Sequence, residues 1–530
     1  MAPLIEVALI GWIPLTLGLF LILRPHVATA ASLAFGVAFL PALREIDVPV
    51  MPDLTQYTIP VLASFMMVVF RTPQRLIAAR PGTNVGDILV IGLMIGSLIT
   101  NATNTDPQVF GPTILPGMSL TDTVNDALES LFFFGLPFLM GRALVRTEQE
   151  GTDVLLVLAT LALVYLPLVA IEFQIGPYWH VAVYGSHPAI ETFWHSVRYG
   201  GFRPNVFMNH GLTLSAFLLY CTIVVSGLYR LGVRPHRVPI GPLTCVMIFF
   251  TAWCKSRAVW IYGLIAVPSL LFSRPRLNIL IITIIAGGVI TYPFLRSVDV
   301  LPIKEIDAIA AEYGGQSATI SFMQRIETED DIMRRTAERY FFGWGGYARY
   351  FVYSPVTGRP LSVMDGYWVM AFGEGGIFRF LCLYGFLLFP IFYAYARFPR
   401  IRSRQAQVIV CTFAWIVVLR TFDLIPNSTL DPYLTFLGGA LCRVAQEASS
   451  TSAARAADAR NRERKNQSGI PSAPDRAAAA PPSGLSAAEA GRARPDGPAP
   501  TQSEGRVRDE PDRSNRLSAS LGRSLTDPSE

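Results

Sequence analysis

Apolar residues along this chain come in unbroken runs, not at alternate positions or on one helical stripe. The runs are roughly 17 to 25 residues long, the length an α-helix needs to cross a bilayer. Examples are "LIEVALIGWIPLTLGLFLIL" (4–23), "DVLLVLATLALVYLPLVAIEF" (153–173) and "LNILIITIIAGGVITYPFL" (277–295). A 20-residue rule gives about thirteen spans. They lie near 4–23, 27–43, 56–70, 84–101, 124–141, 153–174, 207–229, 238–254, 258–273, 277–296, 367–394, 405–421 and 430–443. The first run has no lysine or arginine before Arg24 and carries Glu6, so it lacks a signal peptide's basic start and reads as a retained span. The expected fold class is all-α: a polytopic helical membrane protein with about 12–13 transmembrane helices.

Loop charge adds an orientation, because lysine and arginine are retained on the cytoplasmic side. Arginines mark alternate loops: Arg24; Arg71, Arg75 and Arg80; Arg142 and Arg146; Arg230, Arg234 and Arg237; Arg274 and Arg276; then Arg397, Arg400, Arg402 and Arg404. The loop at 102–123 carries none. The alternation puts the N-terminus outside, the C-terminus inside, and segments 175–206, 254–258 and 297–366 outside. Within the large 297–366 loop, Ile320, Met323, Ile326, Ile332 and Met333 have spacings that suit an amphipathic helix on the outer membrane face. "GWGG" (343–346) stops it, since glycine ends helices readily.

Composition agrees with the spans: 51% of residues are hydrophobic and only 16% charged, poorer in charge than soluble domains. The net charge of +5 does not point to nucleic acid, because the arginines sit in short loops and the tail. From about residue 444 the chain has no aromatic residue and cannot offset its ordering entropy with buried apolar surface. Residues 1–443 are therefore expected to form the membrane domain, and 444–530 a disordered cytoplasmic tail. Cys221, Cys245, Cys254, Cys382, Cys411 and Cys442 lie in or beside apolar runs without a CxxC pair, and read as small buried side chains.

Polar groups collect in "HSVRYGGFRPNVFMNHG" (195–211), at the mouth of a long apolar run. Arg198 and Arg203 there, and Lys255 and Arg257 in "CKSRA" (254–258), run against the usual outside charge bias. Forked arginine donors match phosphate oxygens, so a diphosphate at the outer surface is one partner. Snorkelling to lipid head groups is the other reading. His180, His187 and His195 match no metal spacing and read as a solvated loop beside Tyr178, Trp179 and Trp194. His210 stands apart with Asn205 and Asn209 at the helix entry, where sugar hydroxyls fit.

Four ordered blocks across 203–388 resemble the bacterial O-antigen ligase and polymerase-like membrane proteins. They are "RPNVFMNHGLTLSAFL" (203–218), "CKSRAVWIYGLIAVPSLL" (254–271), "RIETEDDIMRRTAERYFFGWGGY" (325–347) and "MDGYWVMAFGEGGIFRFLCLYGFLL" (364–388). "DLIPNSTLDPYLTFLGGAL" (423–441) is similar, more faintly, to the closing segment of polysaccharide polymerases. The resemblance implies an integral-membrane glycosyltransferase of a bacterial inner membrane, acting at the periplasmic face without a metal or cofactor. Its donor would be a polyprenyl-diphosphate-linked oligosaccharide. Membrane lipid and other polysaccharide export proteins would be its further partners, with no nucleic acid. Arg203 and Arg257 would hold the diphosphate, with Arg198, Arg325, Asn205, Asn209 and His210 beside the substrate.

Ligases of this family carry histidine where this chain has Asp365, which favours a polymerase of exopolysaccharide or O-antigen. Either residue can accept a proton from an acceptor hydroxyl. Glu374 is the second candidate catalytic residue. Nine positions along one helix put it about 13 Å away and on the opposite side from Asp365. Only a break at Gly373, Gly375 or Gly376 would turn both inward, so Asp365 ranks above Glu374 as base and Glu374 reads as a packing or interface carboxylate. A ligase, and a transporter of the lipid-linked glycan, remain alternatives; Arg379 in "GGIFRFL" is the clearest intramembrane charge.

Overall fold

A computed structural model describes residues 2–48, 51–188, 196–198, 200–298, 300–314, 316–362 and 366–467. The fold is all-α. The first part of the chain forms α1 (Ala2–Ile22), α2 (Pro25–Phe39), α3 (Thr58–Arg71), α4 (Pro73–Ala78) and α5 (Val85–Ala102). A hairpin, β1 (Gln108–Phe110) and β2 (Thr113–Leu115), leads to α6 (Leu120–Ser130), which a π-helical turn joins to α7 (Leu136–Leu144). Next come α8 (Glu148–Ile175), α9 (Trp179–Tyr184) and the hairpin β3 (Val197–Arg198) and β4 (Gly201–Phe202). The remainder is α10 (Gly211–Leu231), α11 (Ile240–Trp253), α12 (Arg257–Phe272), α13 (Pro275–Ser297), α14 (Ile303–Gly314), α15 (Gln316–Ala337), α16 (Tyr367–Arg397), α17 (Arg404–Asp423) and α18 (Pro432–Gln467).

Eight helices among the described residues are long and apolar enough to cross a membrane: α1, α5, the joined α6–α7, α8, α10, α13, α16 and α17. Helices α2, α3, α11 and α12 are apolar but shorter. The protein is thus a multi-pass membrane protein. Each expected span falls on one of these helices or, for 430–443, on the apolar start of α18. Without a hydrophobic force between helices in lipid, close approach depends on small residues. Gly141 of α7 and Gly439 of α18 supply it: a side-chain carbon at either would collide with the other helix's backbone, at Phe436 O and Phe138 O respectively.

The arginine-bearing loops touch one another at one end of the bundle. Arg75 pairs with Glu150 at 2.7 Å, His26 bonds Asp153 at 2.9 Å, and Arg230 donates to the carbonyls of Leu270, Leu271 and Ser273. At the other end, Thr100 and Asn104 bond the carbonyls of Phe342 and Gly343 at 2.6 and 3.2 Å. The N–H of Tyr367 there donates to Leu424 O.

Three expectations change. The chain does not leave helix at 444: α18 continues to Gln467, with Val444 and Ala445 buried and Arg443 paired to Glu447 one turn on. Residues from 468 lie outside the described residues. Cys245 is exposed, unlike the other five cysteines, because α11 turns it away from the core. The amphipathic α15 forms, but much of its apolar face lies on protein: Ile326 and Ile332 are buried and the helix packs on α16.

Helix α16 is broken at Gly375 (φ −126°, ψ 16°) and Gly376 (φ +63°, ψ −164°). A break inside an apolar medium leaves carbonyls and N–H groups that water cannot satisfy. The 340–345 segment fills it. Trp344 and Gly345 N–H groups donate to Gly373 O and Glu374 O at 3.0 and 2.9 Å. On the far side, Ile377 and Phe378 N–H groups donate to Tyr340 O and Phe341 O at 2.9 and 3.3 Å. A side chain at Gly376 would strike the Tyr340 and Phe341 carbonyls. Gly376→Ala should therefore cost more than the about 1–3 kcal/mol of this positive-φ backbone alone. Gly287→Ala, which meets nothing within 4 Å among the described residues, is the control and should leave thermal denaturation in detergent unchanged. Equal melting of the two variants would mean the break is not held by this contact.

Candidate functional site

The polar stretch before α10 is organised by a residue the sequence does not advertise. Glu172, near the end of α8, is 0% exposed. Its Oε1 accepts the N–H groups of Tyr178 and Trp179 at 2.8 and 2.9 Å, and its Oε2 those of Asn205 and Val206 at 2.8 and 2.7 Å. A buried carboxylate is stable where several N–H donors converge on it. One side chain thereby ties the start of α9 to the entry of α10.

Arg203 sits in this frame with 4% exposure. Its N–H donates to Ser196 O at 2.6 Å and its Nη2 to Lys255 O at 3.3 Å. Its methylenes cross Gly211, where any side chain would collide with them. His210 caps α10 by accepting the Leu212 N–H at Nδ1, 3.0 Å, and Asn209 Oδ1 accepts the Thr213 hydroxyl at 2.9 Å. Arg203, Asn205, Asn209, His210 and Lys255 therefore come together at the start of α10. Arg257, the first residue of α12, is exposed two residues beyond Lys255. Arg198 lies on β3. His195 and Asp365 fall outside the described residues. His180 is not solvated as expected: it is 1% exposed, with Nδ1 bonded to Ser186 O at 2.6 Å and Nε2 accepting the Ala42 N–H at 3.3 Å.

Arg325 belongs to a different group of charges. It lies on α15, close enough to Asp423 for its charge to act on that carboxylate. Asp423 in turn pairs with the buried Arg420 at 3.5 Å, whose other nitrogen reaches Asp431 at 3.5 Å over the Tyr220 ring. Helix α15 is fastened nearby by Glu329, which accepts Trp368 Nε1 and Tyr292 hydroxyl bonds at 3.0 Å each. Burial pushes the Glu329 carboxyl up, against the opposing effect of these bonds and of Arg296.

Glu374 lines a cavity of about 300 Å³ at the break of α16, with Asn101, Asp126, Glu129, Tyr367 and Arg379. It pairs with Arg379 at 3.2 Å across the break. The break follows Glu374 and leaves the helix regular from Tyr367 to Glu374. Asp126 and Glu129 were missed. The signal was present, since acidic residues at the start of an apolar span usually have a positional reason. Among the described residues, no three His, Cys, Asp or Glu side chains are arranged to hold a metal ion.

No protein-family model and no curated protein matches the chain. The Glu172 arrangement makes a direct prediction. Glu172→Gln turns one acceptor into a donor facing N–H groups, and bonds to a charged acceptor are worth about 1.5–3 kcal/mol. The variant should lose stability by roughly that amount. Unchanged thermal denaturation in detergent would remove Glu172 as the organiser of the α10 entry.

Proposed function

We propose that this chain is an integral-membrane glycosyltransferase that polymerises a polyprenyl-diphosphate-linked oligosaccharide into exopolysaccharide or O-antigen. The observation that carries the reading is Arg203. A snorkelling arginine keeps its head group in water or among lipid phosphates; this one is 4% exposed, bonded to the Lys255 carbonyl, and set at the entry of α10. Its end of the bundle is opposite the arginine-rich loops. The positive-inside rule supports reading that end as the non-cytoplasmic face, which is the periplasmic one in the proposed bacterial inner membrane.

In the proposed reaction the acceptor hydroxyl oxygen attacks the anomeric carbon of the donor sugar. The bond from that carbon to the diphosphate oxygen breaks, and polyprenyl diphosphate leaves with the electron pair. Arg203 and Arg257 stabilise the charge that grows on the diphosphate, where preorganised donors act most strongly. Asp365 takes the hydroxyl proton. Asn205, Asn209, His210, Arg198 and Arg325 are candidate contacts to the glycan, the first three also holding the α10 entry in shape. Other polysaccharide export proteins are the proposed partners.

A transporter of the same lipid-linked glycan is the second reading. It is favoured by the broken α16 with its Glu374–Arg379 pair, because discontinuous helices often form transport sites. A ligase is disfavoured by Asp365 in place of histidine.

The test is polymer length in cells whose only copy carries Arg203→Ala, Arg257→Ala or Asp365→Asn. Loss of one electrostatic donor costs about 2–4 kcal/mol of transition-state stabilisation, and loss of the base about 10²–10⁴-fold. Each variant should accumulate single lipid-linked repeat units at normal protein levels. Near-normal polymer from all three would contradict the proposal. Single units trapped on the cytoplasmic leaflet would favour the transporter.

A further inference from the structure

The cavity at the break of α16 has a polar balance that the diphosphate chemistry does not use. Asp126, Glu129 and Glu374 bring three carboxylates to its wall, against one guanidinium, Arg379. Asn101 is 2% exposed and donates Nδ2 to Asp126 Oδ2 at 2.8 Å. That bond fixes the amide's orientation and turns Oδ1 towards Gly345, another lining residue, 3.6 Å from where a Cβ would stand. Asn101 Oδ1 and Arg379 Nε are both buried and have no hydrogen-bond partner among the described residues. Buried polar atoms of this kind point to an occupant that supplies the missing partners.

Their identities narrow the occupant. Oδ1 needs a donor and Nε needs an acceptor. An anion would meet three carboxylates and a bare cation would meet Arg379, whereas hydroxyl groups donate and accept and carry no charge. Among the described residues, the carboxylates do not form a metal-ligand group. The space, about 300 Å³, is at the lower end of small-molecule sites and far larger than one ion needs. Glycines at 96, 345, 346 and 375 leave the backbone close to this space, and Tyr367 and Met370 add an apolar wall.

We propose that this cavity is a saccharide subsite for one neutral sugar unit, with Asn101, Asp126 and Glu129 as its specificity-determining residues. Resting on the glycosyl-transfer reading, the unit is the acceptor's terminal sugar: Tyr367 lines the cavity and follows Asp365 by two residues, at most about 7 Å of chain. Charge-assisted bonds from carboxylates to sugar hydroxyls are roughly twice as strong as neutral ones. The same carboxylates exclude acidic sugars.

Saturation-transfer NMR on the full chain in lipid nanodiscs, free of glycoside detergent, tests this with methyl glucoside, N-acetylglucosamine and glucuronate as probes. The wild type should bind at least one neutral sugar and not glucuronate. Glu129→Gln should reduce the neutral-sugar signal at least fivefold, and Asp126→Asn combined with Glu129→Gln should admit glucuronate, both at unchanged melting temperature. Equal signals from wild type and variants, or no neutral-sugar binding at all, would overturn the subsite while leaving cellular polymerisation to support the enzyme. Stabilisation by sodium or calcium chloride that the variants lose would make it a cation site and overturn the proposal. Variant-sensitive sugar binding in a chain that forms no polymer would keep the subsite and remove the acceptor assignment with the enzyme reading.

Discussion

The break in α16 governs much of the architecture at the site end. Two glycines open the helix where it has no water to turn to, and four backbone groups then need partners. The 340–345 segment supplies all four, so the loop between α15 and α16 is a structural part of the bundle. Its position is reinforced from outside. Trp344 lies beneath Arg335 and Arg339, at 3.6 and 4.7 Å, and Arg349 ties its carbonyl to those of Pro116 and Asp106. Opening the helix also makes the room in which Glu374 and Arg379 face each other.

Buried carboxylates do comparable work elsewhere at this end. Glu172 collects four N–H groups and sets the entry of α10; Glu329 joins α15 to α13 and α16; Asp423, helped by the part-exposed Asp431, holds Arg420. Each substitutes protein hydrogen bonds for lost hydration, the condition under which a buried charge is tolerated. Together they keep a polar layer rigid beside apolar helices. That layer is where the proposed transfer chemistry would need water excluded and donors fixed in advance.

The spans were legible because bilayer thickness imposes one length on every run. The alternation of arginine loops foretold which loops share an end, and contacts such as Arg75 with Glu150 agree with it. A break at Gly373, Gly375 or Gly376 was anticipated as the condition for turning Asp365 and Glu374 to one side, and the helix does break at Gly375 and Gly376. The partners of that break were not legible, because Trp344 and Gly373 meet by tertiary packing that no periodicity encodes. Glu172 was hidden inside an apolar run, and His180 looked solvated because the Ala42 N–H that meets its ring comes from a distant segment. Helix α18 outlasted the expected boundary because alanine, glutamate and arginine sustain helix without an apolar stripe.

The most direct measurement supplies the purified chain, in sealed proteoliposomes, with a polyprenyl-diphosphate-linked repeat unit and sizes the products by gel electrophoresis. The account predicts a ladder of lengthening glycans with release of polyprenyl diphosphate. Movement of the single unit across the bilayer, with no lengthening and no diphosphate released, would contradict it.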